Sequence, residues 1–278
     1  MTPQPHLVTR DRHGAKKWLR HTGYTFAGPI NVAPIAAAEL SHAARALPLA
    51  FVLQDDKPVL VALMGLLPGQ NLFVAPDGRW LGLYVPAALR GYPFRLGRTD
   101  GEGNNFALLV DEASELVIDQ AIGEEGIAFF DEAGNPHPET QKVLEFLAKT
   151  RQSMEMAERA VAALADKGVL ETWPLQIKDG DNERQVAGVS RINEAALNAL
   201  SPDDLTLLRD SGALAIAYAQ LLSIGNLAVL STLAQAHAKV HAQKAARMTI
   251  PAGSFVPEDD GELKIDWNAL FKDDEPKQ

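Results

Sequence analysis

The chain contains no cysteine. Disulfides, thiolate-held metals and a cysteine nucleophile are therefore excluded, because each needs the sulfur itself. No Gly-x-Gly-x-x-Gly fingerprint or Walker loop occurs, and residues 65–69, Gly-Leu-Leu-Pro-Gly, lack the Lys-Ser/Thr pair that would hold a phosphate. A Gly-x-Ser-x-Gly elbow is missing as well. The N-terminus carries prolines and charges where a secretory signal carries an apolar run, so the reading is a cytoplasmic protein. Aromatic residues make up only 6% of the chain, which makes the places where they gather informative.

What is present is an ordinary globular composition. The 278 residues are 46% hydrophobic and 22% charged, enough to bury a core in one large domain. The net charge of -10 is unevenly spread. At the head, Arg10, Arg12, Lys16, Lys17 and Arg20 face only Asp11; at the tail, Glu258, Asp259, Asp260, Glu262, Asp266, Asp273, Asp274 and Glu275 outnumber Lys264, Lys272 and Lys277. With an overall pI near 5.2, the head lacks the extended positive field that nucleic acid requires. It reads as a solvated arm, residues 1–23, paired loosely with an acidic and mobile tail, residues 249–278. Between them, residues 24–248 read as a single folded domain. An apolar island in the tail, Leu263, Ile265, Trp267, Leu270 and Phe271, suits docking on the body of its own or a neighbouring chain, or folding on a partner.

The fold class read from periodicity is α+β, with a mainly antiparallel β-sheet N-terminal half and long helices packed against it in the C-terminal half. Pro34 and Pro48 bracket a short helix over 35–47. Apolar runs at 49–53 and 59–64, joined by the polar residues 54–57, predict a hairpin. Residues 59–96 form the densest stretch of the chain. There, runs at 72–74 and 79–83 flank Ala75-Pro76-Asp77-Gly78, a type I turn sequence, and predict a second hairpin. Residues 99–105 read as a loop and 106–110 as a strand. From Pro138 the apolar period becomes helical through Val143, Leu147, Met154, Ala157, Val161 and Leu164, predicting a helix of roughly thirty residues closed by Gly168. Extended runs at 169–177 and 184–189 are separated by a polar turn at 178–183, and a short helix follows over 192–200. Ser201-Pro202-Asp203-Asp204 is a helix start, with a capping Ser, Pro at the first helical position and acids over the positive end of the dipole. Residues 213–234 carry no charge, which is length enough for a membrane span. Gln220, Ser223, Asn226, Ser231 and Thr232 interrupt it, and the reading is a buried or partner-packed helix with Gly225 as a close contact or weak spot.

Few groups carry chemistry. His137-Pro138-Glu139 has the His-x-acid spacing of some metal sites but sits where a helix begins, with no completing ligands. His237 and His241 lie one helical turn apart with no Glu after His237. The acid pairs Asp111-Glu112, Glu124-Glu125 and Asp131-Glu132 fall at turns, where solvated capping explains them better than acid/base work. The expectation is no catalytic residue, no metal and no cofactor, so the balance leans away from an enzyme. One constellation is suited to binding: Asn71, Arg79, Trp80, Tyr84, Arg90 and Tyr92, whose flat rings and bidentate donors fit a carbohydrate, a peptide or another small molecule in a groove near Trp80 and Tyr84.

The succession ALMGLLPGQNLFVAPDGRWLGLYVPAALRGYPF, FALLVDEAS, GIAFFDEAGNPHPETQKVLEFLAKT, GVLETWPLQI and SRINEAALNALSPDDLTLLRDSGALAIAYAQLLSIGNLAVL resembles bacterial SapC family proteins. The likeness runs in order over residues 26–233, leaving the basic head and acidic tail outside. The family takes its name from a protein encoded with a bacterial surface-layer system, and it supplies no catalytic residues to carry onto this chain. The resemblance implies a non-catalytic interaction protein associated with cell-envelope or surface-layer biogenesis, pairing with itself or a protein partner through its helical half. The alternative is a binding accessory protein using the Trp80/Tyr84 groove. Neither reading involves nucleic acid or a membrane span.

Overall fold

A computed structural model of the chain describes residues 4–98, 106–119, 125–179 and 182–248. The loop expected at 99–105, the tip of the turn expected at 178–183, Glu124 and the tail with its apolar island lie outside the described residues. The chain divides into two compact units, Met1–Leu230 and Ser231–Gln278.

The strands run β1 Pro5–Leu7, β2 Lys16–Trp18, β3 Val32–Pro34, β4 Leu49–Gln54, β5 Lys57–Leu63, β6 Phe94–Arg98 and β7 Phe106–Asp111. They continue as β8 Val117–Asp119, β9 Ile127–Ala128, β10 Leu170–Thr172, β11 Gln176–Asp179, β12 Asn182–Gln185 and β13 Val189–Ile192. The helices are α1 Arg10–His13, α2 Leu40–Ala46, α3 Ala87–Arg90, α4 Pro138–Asp166, α5 Glu194–Asn198, α6 Pro202–Asp210, α7 Ala213–Ser223 and α8 Leu227–Met248. Among the described residues every strand pairing is antiparallel. Antiparallel sheets occupy the N-terminal half and long helices the C-terminal half, so the fold is α+β.

The largest sheet has the order β10-β13-β4-β5-β3, and α4 lies on β5. β4 and β5 form the expected hairpin, closed by a two-residue turn in which Asp55 and Asp56 both take positive φ, 50° and 58°. That is the hand of turn that matches strand twist. The second hairpin is reduced to one bridge, Val74 with Trp80. Its turn forms, with Gly78 N–H donating to Ala75 C=O at 2.9 Å, but the chain is drawn aside. Gly78 sits at φ 85°, and a Cβ there would meet Thr25 Oγ1 at 2.5 Å, so the turn packs on the 3-10 turn Thr25–Ala27 rather than extending a ladder. Pro34 likewise belongs to β3, and the helix expected from 35 begins as a 3-10 turn at Ala37–Glu39 before α2.

α4 spans 29 residues and buries Ala157, Ala160, Val161 and Leu164, the stripe its period predicts. His137 is its N-cap, with Nδ1 accepting from Glu139 N–H at 3.2 Å. α6 starts as expected, Ser201 Oγ accepting from Asp204 N–H at 3.1 Å.

The uncharged run forms α7, a 3-10 turn at Ile224–Asn226 and then α8. By length and composition alone, Ala213–Gln243 could cross a membrane. Its polar interruptions do specific work in the first unit. The β13–β4 ladder pairs Val189 with Val52 and Ser190 with Phe51. Where the same register would pair Ile192 with Leu49, the buried Gln220 amide stands between them. It accepts from Ile192 N–H at 3.0 Å and donates to Leu49 C=O at 3.2 Å. Ser223 Oγ accepts the Leu49 N–H at 2.9 Å. Asn226 Nδ2 donates to Ala44 C=O at 2.9 Å and Leu47 C=O at 3.1 Å, serving carbonyls at the end of α2 that have no helical partner. Gly225 is a break in the α-helix rather than a close contact, since a Cβ there would meet nothing within 4 Å.

The basic head is not a solvated arm. β1 joins β7 and β6 in one sheet, and β2 is the centre of another, β8-β2-β9. Trp18 is buried in a cluster with Phe94, Leu108, Val110 and Phe129. Two of the head's cations, Arg12 and Lys16, are held by Glu112. Arg12 makes a bidentate pair with its carboxylate at 2.8 and 2.9 Å, and Lys16 Nζ lies at 3.3 Å. The fully buried His13 accepts Thr9 N–H at Nδ1, 3.3 Å, which leaves its proton on Nε2, 3.0 Å from Glu112. Glu112 is thus an anchor rather than a solvated turn residue. Arg12, first among its partners, pulls its carboxyl down from an ordinary 4.5 to about 2.

Candidate functional site

Directly above the Trp18 cluster is a pocket of about 380 Å³. Three pieces of chain enclose it: Trp18, Arg20 and His21 at and beyond the end of β2, Arg90 to Phe94 from α3 into β6, and Glu139, Lys142, Val143 and Phe146 on the first turns of α4. Each piece is fixed from below. Trp18 meets the Phe94 ring edge-on at 5.0 Å, and its Nε1–H donates to Thr140 Oγ1 on α4 at 3.1 Å. At Gly91 a Cβ would come within 2.7 Å of the tip of the Leu147 side chain, so α3 lies close on α4 here. Tyr92 stacks face to face on Phe26 at 3.8 Å. Burial, first, pushes its hydroxyl pKa up, with Asp111 adding to the shift.

The rim is cationic. Arg20 and Lys142 both bind Glu139, at 2.5 and 2.6 Å. Lys142, ahead of Arg20, holds the Glu139 carboxyl below the usual carboxylate range. A carboxylate so stabilised is a poor base. His21, against Tyr24 at 5.1 Å and Phe26 at 5.4 Å, has its pKa pushed down by burial, although the backbone of Arg90 and Gly23 works the other way.

Arg90 is held differently, by a tyrosine and a buried carboxylate, Glu39, 3.8 Å from its Nη2. Glu39, 5% exposed, receives Ala36 N–H at 2.9 Å on one oxygen and both the Tyr84 hydroxyl and Ala87 N–H at 2.7 Å on the other. Because Tyr84 donates its proton to Glu39, its oxygen is left to accept, and Arg90 Nη2 fills that place at 3.2 Å. The guanidinium lies over the Tyr84 ring at 5.6 Å and the Phe146 ring at 5.3 Å. Burial, then Glu39, drives the Tyr84 pKa far upward, so the hydroxyl keeps its proton.

Of the side chains singled out in the sequence, Arg90 and Tyr92 line this pocket and Tyr84 stands behind it, positioning Arg90. Trp80 does not reach it. It is half-buried, donates Nε1–H to Tyr84 C=O at 3.0 Å and stacks on Phe73 at 5.4 Å. Asn71 is a buried brace, accepting Phe73 N–H at 3.0 Å and donating to Ala27 C=O at 3.1 Å. Arg79 pairs with Asp77 at the exposed turn tip, 2.7 Å. The concavity is thus lined by Arg90 and Tyr92, with Trp80 outside its lining. Sequence reasoning missed Trp18, Glu39 and Phe146, and met Arg20 only as a head charge and Glu139 only as part of a His-x-acid spacing. Glu39 carried a local signal, as an acid three residues after the chain enters a helical turn.

A larger groove of about 910 Å³ runs between the β4–β5 turn and α4. Its charges balance, Lys57, Arg98, Arg151 and Arg159 against Asp55, Glu155, Glu158 and Asp166, which favours no ligand sign. Among the described residues no group of three His, Asp or Glu side chains could hold a metal ion.

No curated protein and no solved structure matches the chain. The family model for SapC matches residues 8–230, which takes in most of the basic head as well as the domain, in keeping with a head built into the core. The chain belongs to the SapC family.

Proposed function

We propose that this SapC-family protein is a non-catalytic binding protein whose ligand site is the pocket between the end of β2, α3 and the start of α4. One observation carries the reading. Arg90 is held by a buried carboxylate and a tyrosine at the mouth of an aromatic-floored pocket, and fixing a flexible arginine beside empty space is an investment that packing alone does not require. The pocket's volume falls within the range of ligand sites, about 300–1,000 Å³. The test is to recover small molecules from protein purified from its native host, wild type beside Val143→Trp, which fills the pocket without touching its charges. A co-purifying compound present with wild type and lost with the variant supports the reading; identical extracts from both, with the two proteins equally folded, count against it.

A second reading rests on α7. Leu222 is 81% exposed and Tyr218 49%, and with Ala215 they share one uncharged helix face. Such a face suits a protein partner or a second copy of the chain, in line with the surface-layer association that the family name carries. Light scattering tests it. A mass above the 30.0 kDa of one chain that Leu222→Lys returns to a monomer supports the reading, and a wild-type monomer that binds no envelope protein opposes it. Under either reading we place the protein in the cytoplasm, without cofactor, nucleic acid or membrane span. The bonds of Gln220, Ser223 and Asn226 to the sheet and α2 support packing of α7 in protein rather than lipid.

A further inference from the structure

Resting on the reading that this pocket is a ligand site, we infer that it takes a small organic anion with a flat apolar body, the charge held by Arg90 and the body lying on the aromatic floor. The charge count comes first. Arg20, Arg90 and Lys142 line the pocket against Glu139, with Glu39 behind Arg90 at 3.8 Å, so the balance is one net positive charge and favours an anion over a cation.

Donor capacity points the same way. A guanidinium has five N–H donors, and among the described residues Arg90 commits one nitrogen, Nη2, to a hydrogen bond. The polarity of the relay matters here. Glu39 accepts from Tyr84, and Tyr84 accepts from Arg90, so the guanidinium is tethered at Nη2 and rests over the Tyr84 and Phe146 rings while its other donors are uncommitted among the described residues. A planar fork of this kind suits a carboxylate or a phosphate monoester, either of which accepts two parallel bonds.

Acceptor capacity argues against the carbohydrate and peptide ligands considered from sequence. Sugars and backbone segments bring donors as well as acceptors. The lining carboxylate that would receive them, Glu139, is already bound by Arg20 and Lys142. The floor supplies ring faces instead, from Trp18, Tyr92, Phe94 and Phe146, which match a flat apolar body. At about 380 Å³ the pocket is at the small end of ligand sites, better fitted to one or two fused rings than to a polymer.

The experiment titrates the full-length protein with 2-naphthoate, 2-naphthyl phosphate and the neutral 2-naphthamide, following the indole N–H signal of Trp18 in nitrogen-15 spectra. The two anions should shift that signal saturably and bind about tenfold or more tighter than the amide, with an affinity that falls as salt rises. Their ratio tells carboxylate from phosphate recognition. Arg90→Met should remove the anions' advantage and leave amide binding unchanged. Tyr84→Phe should lower anion affinity severalfold, again sparing the amide, which a merely structural role would not do. Arg20→Met and Lys142→Met, both at exposed positions, repeat the charge test should Arg90→Met fail to fold. Amide and anions binding alike would overturn the ligand class while leaving the pocket reading in place. If no compound of either kind moves the Trp18 signal, the pocket reading itself falls.

Discussion

At the scale of single residues, the side chains that matter most are polar ones facing backbone. Gln220 completes a β ladder by inserting its amide where Ile192 and Leu49 have spread apart. Replacing it with methionine keeps the volume and leaves a buried N–H and a buried C=O without partners, each costing about 1–3 kcal/mol. Gln220→Met should therefore destabilise the protein by about 2–4 kcal/mol in urea unfolding, whereas a loss below ~0.5 kcal/mol would mean that water or a strand shift replaces the amide. Glu112 makes the corresponding electrostatic prediction. Its folded carboxyl lies near 2 against an ordinary 4.5, so its stabilisation is complete above pH 4.5 and lost as pH falls toward 2, at most ~3 kcal/mol. Glu112→Gln should lower stability at pH 7 and flatten the acid limb between 4.5 and 2, as read from unfolding midpoints across that range. His13 adds to the acid limb from higher pH, because burial depresses its folded pKa and unfolded chains take up that proton below 6.5.

Among the elements, those whose signals are local were readable in advance. The apolar period of α4, the Ser201 cap of α6 and the turn at 54–57 each depend on residues within a few positions of one another, and each forms. The turn nevertheless carries a cost. Asp55 and Asp56 both occupy the left-handed region, which glycine enters without penalty and other residues do not. Asp56→Gly should raise stability by roughly 0.5–1 kcal/mol, seen as a higher thermal midpoint, with no change in the sheet. The hairpin expected over 72–83 failed to lengthen for a reason no local pattern contains. Its turn is packed against Thr25, about fifty residues back along the chain, and the contact at Gly78 decides where the strands can go. Residues 213–234 show the same division. Composition left membrane and core both open, and the partners of Gln220, Ser223 and Asn226 come from α2, β4 and β13.

For the molecule as a whole, the head is the main revision. Composition made residues 1–23 look like a solvated arm, because charge dominates that stretch. In the fold, its strands join β7 and β8, and Trp18 sits at the centre of the cluster beneath the pocket. Deleting residues 1–23 should therefore abolish cooperative unfolding, as followed by near-ultraviolet circular dichroism, rather than trim a loose end. A truncated protein with a sharp melt near that of the full chain would restore the arm. The same burial explains why the pocket could not be assembled from sequence. Its rings and charges come from three stretches, 18–21, 90–94 and 139–146, and only the last two contain a group that either the turn-rich aromatic stretch or the helix period would single out.

What the sequence by itself determined is the α+β class, the long helix, the turns and caps, the absence of cysteine, of a phosphate loop and of a Gly-x-Ser-x-Gly elbow, and the family. These follow from residue type and short-range period, which physics ties directly to backbone preference. Only the tertiary structure decided that the head is core, that Glu112 gathers its cations, that Gln220 serves a sheet, and that Glu39 and Tyr84 set Arg90 at a pocket rather than on a solvated surface. Each of those depends on a partner far away in sequence. A carboxylate, an amide or an indole binds whatever the fold brings within about 3 Å of it, and sequence spacing does not contain that distance.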